Sequence, residues 1–208
     1  MKIIIAGIHT GIGKTICSAI LADALGYDYW KPIQAGDLDN SDSIFVKNNI
    51  YNTHCMIHPE AFRLSLAASP HWAALYDGVS IQKENIIIPA TQNGLIIETA
   101  GGVMSPLSDD LLNIDLIQYF NLPVILISNN YLGSINHTLL TVSALQHKNI
   151  AIMGIVFSGE EVKSSEDYII QQTKLKHLFS IPKFDTIDKN TITNFAKTIT
   201  NQLQQFIL

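Results

Sequence analysis

Residues 7–15 read Gly-Ile-His-Thr-Gly-Ile-Gly-Lys-Thr and follow at once on the apolar run Lys2–Ala6. No other segment limits the fold as strongly. A short strand that turns through glycines into a helix opening on Gly-Lys-Thr is the layout of a phosphate-binding P-loop. The glycines let backbone N–H groups turn inward around an anion, and the helix N-terminus adds a favourable dipole. Lys14 supplies positive charge for the β- and γ-phosphates, and Thr15 offers a hydroxyl to Mg²⁺. Five residues separate Gly7 from Gly13, one more than the general form has, so the loop is a variant.

Beyond the loop, short apolar runs read as buried strands: Lys2–Ala6, Tyr27–Ile33, Leu95–Glu98, Pro123–Ser128 and Ala151–Phe157. Each is rich in β-branched or aromatic residues and too short for a helix. Between them lie stretches with helical spacing. Lys14–Leu25 puts Ile16, Ile20, Leu21 and Leu25 on one face. Asp109–Phe120 and Ser134–Gln146 are similar, and the tail Asn190–Leu208 repeats apolar residues at Ile192, Phe195, Ile199, Leu203 and Phe206. Strands alternating with helices imply an α/β fold: a parallel sheet covered by helices on both faces, a three-layer, Rossmann-like P-loop sandwich. With no repeat or Pro/Gly/Ser-rich linker, one domain over residues 1–208 is the simplest organisation. Ligands in such sheets sit beyond the carboxyl ends of the strands, so the chemistry is expected just after each apolar run.

Composition narrows the partners. Lys and Arg number 13 against 18 Asp and Glu, a net charge of −5, which argues against a nucleic-acid-coating surface. Hydrophobic residues make up 47% and charged residues 15%, the opposite of a disordered chain. The two cysteines, Cys17 and Cys55, make no disulfide framework. No apolar run approaches the roughly 20 residues of a membrane span, and the first residues do not build a signal peptide. A cytoplasmic protein is the expectation. Asn136-His137-Thr138 matches a glycosylation pattern that has no meaning without secretion.

Four further segments add detail in order. The second run ends Trp30-Lys31-Pro32-Ile33-Gln34-Ala35-Gly36, followed by Asn40-Ser41-Asp42. The third ends Ile96-Ile97-Glu98-Thr99-Ala100-Gly101-Gly102, then Pro106-Leu107-Ser108-Asp109. Leu122–Ile127 leads to Leu132-Gly133-Ser134-Ile135-Asn136-His137. With Gly-x-x-Thr-x-x-Gly-Lys-Thr at Gly7–Thr15, this series resembles the dethiobiotin synthetase family from about residue 2 to residue 157. Beyond that only Ile181-Pro182 can be placed.

The resemblance implies ATP-dependent insertion of CO₂ between the two amines of 7,8-diaminopelargonate. It implies ATP contacts at Gly11, Ile12, Gly13, Lys14, Thr15 and Ile16, at Asp42, at Glu98, Thr99, Ala100 and Gly101, and around the base at Ser158, Gly159, Pro182, Lys183 and Phe184. Thr15, Asp42 and Glu98 would hold Mg²⁺, whose preferred ligands are hard oxygens. Lys14 and Lys31 are the implied catalytic residues, stabilising the transferred phosphoryl group, with Lys31 also against the carbamate. Substrate contacts are implied at Thr10, Lys31, Ala35, Ser69 and Pro70. Gly133, Ser134 and Asn136 would receive the substrate carboxylate from a neighbouring subunit, which implies a homodimer. Read alone, Ser69-Pro70 is also a helix start with Ser69 as cap, and Asp42 a helix-start acid.

Four positions depart from the family pattern. Gly11 stands where some members carry an acid, and Ala35 where many carry Ser or Thr, so a hydroxyl contact to substrate is lost. Ser158-Gly159 replaces an Asn-Asp pair; a hydroxyl cannot meet the adenine edge at two points, which implies a looser nucleotide preference. Other classes fit less well. A GTPase switch would need an Asn-Lys-x-Asp base reader, and Asn129-Asn130-Tyr131-Leu132 is not one. A partition-type ATPase would carry an extra lysine where His9 stands. A related ATP-dependent amidoligase acting on a larger acid differs only in substrate. His54-Cys55-Met56-Ile57-His58 falls short of paired zinc spacings. No Gly-x-Ser-x-Gly elbow appears. The tail has Lys197 as its only basic residue, against the basic face of a membrane-docking helix.

Overall fold

The computed structural model describes residues 1–207, with side chains described through Leu203. Phe206, expected as the last apolar contact of the tail, and Leu208 lie outside that description.

In chain order the elements are β1 (Lys2–Gly7), α1 (Lys14–Leu25), β2 (Asp28–Trp30), β3 (Ile33–Ala35), α2 (Asp42–Asn49), β4 (Ile57–His58), β5 (Phe62–Leu64) and α3 (Pro70–Tyr76). They continue as β6 (Leu95–Gly102), α4 (Asn113–Phe120), β7 (Val124–Asn129), α5 (Ser134–His147), β8 (Ile152–Ser158), α6 (Lys163–Thr173), β9 (His177–Ile181) and α7 (Lys189–Ile207). Seven strands form one sheet in the order β4-β2-β6-β1-β7-β8-β9. Every described pairing in it is parallel.

The order decides where the helices lie. The β1–α1–β2 crossover runs one way across the sheet, and the crossovers through α4, α5 and α6 run the other. Right-handed connections therefore put α1 on one face and the other three on the opposite one. Helices α2 and α7 pack against α1, and α5 packs against α6. This is the covered parallel sheet expected from the alternation. Ile3, Ile4, Ile5, Ala6, Val124, Ile125, Leu126 and Ile127 are fully buried, as central strands covered on both faces must be.

Three expected boundaries change, and the first is a simple extension: Leu95–Glu98 runs on to Gly102 as β6. Tyr27–Ile33 is not one strand. It breaks at Lys31-Pro32, where proline has no N–H to donate to a ladder. Its second half, β3, instead pairs with β5 in a separate two-stranded sheet, while the Pro32 carbonyl accepts the Phe62 N–H at 3.0 Å. Asp109–Phe120 is helical only from Asn113. The preceding residues close a tight loop in which Leu107 and Ser108 N–H groups both donate to the Leu111 carbonyl. Asp115 then accepts the Leu112 N–H at 3.1 Å and so starts the helix.

Among the described residues no helix is long and apolar enough to cross a membrane, and no group of three or more His, Cys, Asp or Glu side chains gathers as a metal site. In the His54–His58 segment, His58 is buried and faces Asp28 at 3.0 Å. Both cysteines are sheltered. Burial, reinforced by Glu98, pushes the Cys17 thiol far up, and burial with Asp28 and Asp23 pushes Cys55 up to about 12. The thiolate is the reactive form, so the native protein is expected to leave both cysteines unmodified by Ellman's reagent at pH 8 and to release two equivalents once unfolded. Rapid reaction of the native protein would contradict this placement.

Candidate active site

The phosphate loop joins β1 to α1, and its shape depends on two glycines. Gly11 and Gly13 have φ of 72° and 93°, a region costly for residues with a Cβ. A Cβ on Gly13 would stand 2.5 Å from Ser158 Oγ. Gly13→Ala is therefore expected to cost about 1–3 kcal/mol, a drop of about 2–12 °C in melting temperature for a chain this size, and to weaken nucleotide binding. Unchanged melting and unchanged affinity would refute the close approach of these two loops.

The register of the sheet assembles the charges. Ile5 on β1 pairs with Glu98 on β6, and Trp30 on β2 pairs with Ile97. Lys31, one residue beyond Trp30, thus arrives beside Glu98. Its Nζ lies 3.9 Å from Glu98 Oε1 and donates to Asp42 Oδ2. Thr15 Oγ1, 83 positions from Glu98 in the chain, donates to the same Oε1 at 2.8 Å. Tyr29 OH donates to Oε2 at 3.0 Å. Glu98 is only 1% exposed, and a buried carboxylate needs this many partners. Burial, and then the Glu98 charge, push the Tyr29 phenol well above its usual range, so it stays a donor.

The two lysines converge on the same acid. Lys14 Nζ donates to the His9 carbonyl at 2.9 Å, inside the arc of the loop. Burial pulls its ammonium down to about 8, Glu98 opposes that, and the positive charge of Lys31 adds to it. Burial likewise lowers Lys31, opposed by Glu98 and Glu60. Such ammoniums gain most when an anionic phosphate arrives, because burial strengthens every charge interaction.

Thr15, Asp42 and Glu98 form an oxygen-only donor set suited to Mg²⁺. The Lys31 ammonium already stands between the two carboxylates as a cation, and two negative charges against one positive leave room for a second. Asp42 also begins α2, with Ser41 as its cap accepting the Ile44 N–H at 3.4 Å, so its helix-start reading and its site position coincide.

Beside this centre opens a cleft of about 470 Å³. Thr10, Lys31, Ala35, Ser69, Pro70, Asp42, Ala100 and Gly101 all line it. Ser69 precedes α3 as expected, but its hydroxyl pairs with His71 Nδ1 at 3.0 Å rather than capping the helix. Gln34 and Ser105 also line this cleft and were not legible in the sequence. Gln34 donates to the Gly36 carbonyl at 2.9 Å, and Ser105 Oγ accepts the Gly102 N–H at 3.0 Å, shaping the turn after β6.

A second cleft, about 610 Å³, lies past the carboxyl ends of β8 and β9 and includes Gly159, Pro182 and Lys183. Ser158 stands between it and the phosphate loop. Phe184 is not among its lining residues and packs edge-on against Phe195 of α7 at 5.7 Å. Thr99 directs its hydroxyl to the Ile5 carbonyl at 3.3 Å, and Ile12 is buried; only their backbones are free to meet a nucleotide. Ile16 packs against the core. Gly133, Ser134 and Asn136 open α5 outside both clefts.

Comparison with known proteins identifies the family. A family model described as an AAA domain matches residues 1–191. The ATP-dependent dethiobiotin synthetase BioD of Cytophaga hutchinsonii is 47% identical, covering 94% of this chain and 95% of that protein. That of Chlamydia pneumoniae is 46% identical over 94% and 88%, and that of Christiangramia forsetii 45% over 96% and 96%. Among solved structures, the septum site-determining protein MinD of Pyrococcus horikoshii, complexed with Mg-ADP, superposes with a TM-score of 0.62 at 13% identity, covering 96% of each chain. A ParA family ATPase of Chlorobium tepidum gives 0.59 at 13%, covering 94% and 98%. These two share the fold alone. Near-complete coverage at almost half identity is decisive: the chain belongs to the ATP-dependent dethiobiotin synthetase family.

Proposed function

We propose that the chain closes the cyclic urea of dethiobiotin from 7,8-diaminopelargonate, CO₂ and ATP, releasing ADP and phosphate. The observation that carries this reading is the meeting of Lys14, Lys31, Thr15, Asp42 and Glu98 at the mouth of the 470 Å³ cleft. A carbamate is a poor acylating agent, because its leaving group would be oxide or hydroxide. Phosphorylation turns it into a carbamic–phosphoric anhydride, and the neighbouring amine then expels phosphate. That attack is intramolecular, worth up to about 7–11 kcal/mol of proximity. The protein's work is therefore positioning and charge stabilisation.

In this reading the backbone of Gly11–Thr15 holds the phosphates. Lys14 neutralises the β- and γ-phosphates. Lys31 stands on the cleft side, where it holds the carbamate oxygens and meets the transferred phosphoryl group. Mg²⁺ held by Thr15, Asp42 and Glu98 would offset the remaining phosphate charge. Glu98 also fixes Thr15 and Lys31 through its own bonds. Thr10, Ser69 and Pro70 border the diamine, and Ala35 offers only its backbone. Gly133 and Asn136, exposed at the start of α5, and Ser134, buried between them, serve a second subunit's substrate carboxylate in a homodimer; fully exposed Leu132 beside them supports a covered face there.

The test is phosphate release from ATP with Mg²⁺, requiring both diaminopelargonate and bicarbonate, with dethiobiotin detected as product. Phosphate release stimulated only by a protein partner would favour a partition-type ATPase. Release dependent on a larger acid and an amine donor would favour an amidoligase.

A further inference from the structure

Ser158 stands where a base-reading asparagine is usual, yet the second cleft still holds a buried polar group. Glu166, on α6, is 7% exposed and lines that cleft. Its Oε1 accepts from Asn130 Nδ2 at 2.6 Å and from the Val162 N–H at 3.4 Å. Asn130 is itself held by the Glu160 carbonyl at 2.9 Å. Both bonds fall on Oε1, which leaves the capacity of Oε2 to accept further donors. Glu166 lines an open cleft, where that oxygen can accept from a donor.

The surroundings give the cleft a chemical preference. Glu160, Glu161, Glu166 and Asp185 line it against one cation, Lys183, which lies 3.7 Å from Glu160. Ser158 is buried and turned toward Gly13, so its hydroxyl faces the phosphate loop. A nucleotide with phosphates on Gly11–Thr15 has this acid-lined cleft within its reach on the far side of Ser158.

A carboxylate only accepts hydrogen bonds. Guanine presents its N1–H and 2-amino group side by side, and both can donate to one carboxylate. Adenine presents a single amino group next to N1, an acceptor that a carboxylate repels. We propose that Glu166 is the specificity-determining residue for the base, and that it makes GTP a phosphoryl donor at least as good as ATP. This rests on the nucleotide site proposed above.

The test is calorimetric binding of ATP, GTP and ITP, each with Mg²⁺, to the full chain and to Glu166→Gln. ITP keeps N1–H and lacks the 2-amino group. The wild type is expected to bind GTP at least as tightly as ATP, and ITP about threefold or more weakly than GTP. In Glu166→Gln the amide oxygen keeps the Asn130 donor and the NH₂ turns to the base. GTP affinity is then expected to fall about tenfold or more while ATP changes less than about threefold. If that variant does not fold, the wild-type ratio still decides. Tight ATP binding with GTP about tenfold weaker, or an ATP-to-GTP ratio unchanged in a folded Glu166→Gln, overturns the assignment and leaves the nucleotide site standing. Binding of none of the three overturns both.

Discussion

Lys31→Ala is expected to lower dethiobiotin formation by about 10²–10³-fold or more, the loss typical when one preorganised charge is removed from a developing anion. The fold should survive. Glu98 keeps its bonds from Thr15 at 2.8 Å and Tyr29 at 3.0 Å, and the side chain of Asp42, 31% exposed, regains water. Removing one member of a buried ion pair costs up to about 3–5 kcal/mol, and the bonds Glu98 keeps should hold the loss toward the low end of that range. Nucleotide affinity should hardly move, because Lys31 lies on the cleft side of the centre. Incorporation of labelled bicarbonate, read beside a thermal melt and a nucleotide titration, checks all three. Normal turnover in a folded Lys31→Ala protein would remove Lys31 from the mechanism.

Lys14→Ala should damage binding and chemistry together. Lys14 sits inside the loop, with its ammonium on the His9 carbonyl, where β- and γ-phosphates would contact it in both the ground state and the transition state. Turnover is expected to fall by about 10³-fold, with weaker nucleotide binding, whereas Lys31→Ala should act on turnover alone. This split in KM against kcat separates the two lysines. The lowered pKa of Lys14 reports a burial penalty that the variant relieves, so its melting temperature should not drop steeply. Retained ATP affinity with full turnover would mean that the loop binds phosphate through its backbone alone.

Much of this centre was legible because α/β sheets place ligands after strand ends. Reading outward from the first apolar run found Lys14 and the glycines around it, while the roles of Lys31 and Glu98 came from the family resemblance. The covered parallel sheet followed from the alternation of runs and helical spacing. The short elements were not legible: β4 has two residues, β3 and β5 three each. Segments that short have no period of their own and exist only because a neighbour supplies the ladder. The break at Pro32 was written in the chain, but the same proline would also sit at an edge, so its consequence depended on β5. Gln34, Ser105 and Tyr29 carry no signal as single polar residues among many. Only their distances single them out. Glu166 was equally silent, since a glutamate in a helix's first turn normally reads as dipole compensation.

By itself, the amino-acid order determined the phosphate loop and the sheet class, because strand period and loop chemistry act over a few residues; the second lysine and the acids at the strand ends were read from the family resemblance. The tertiary structure alone decided that Glu98 would hold Thr15 and Lys31 at once. Parallel pairing in register, Ile5 with Glu98 and Trp30 with Ile97, brings together side chains from three separate strand ends. Registers are set by burying both faces of the whole sheet, and no local stretch of residues contains that information.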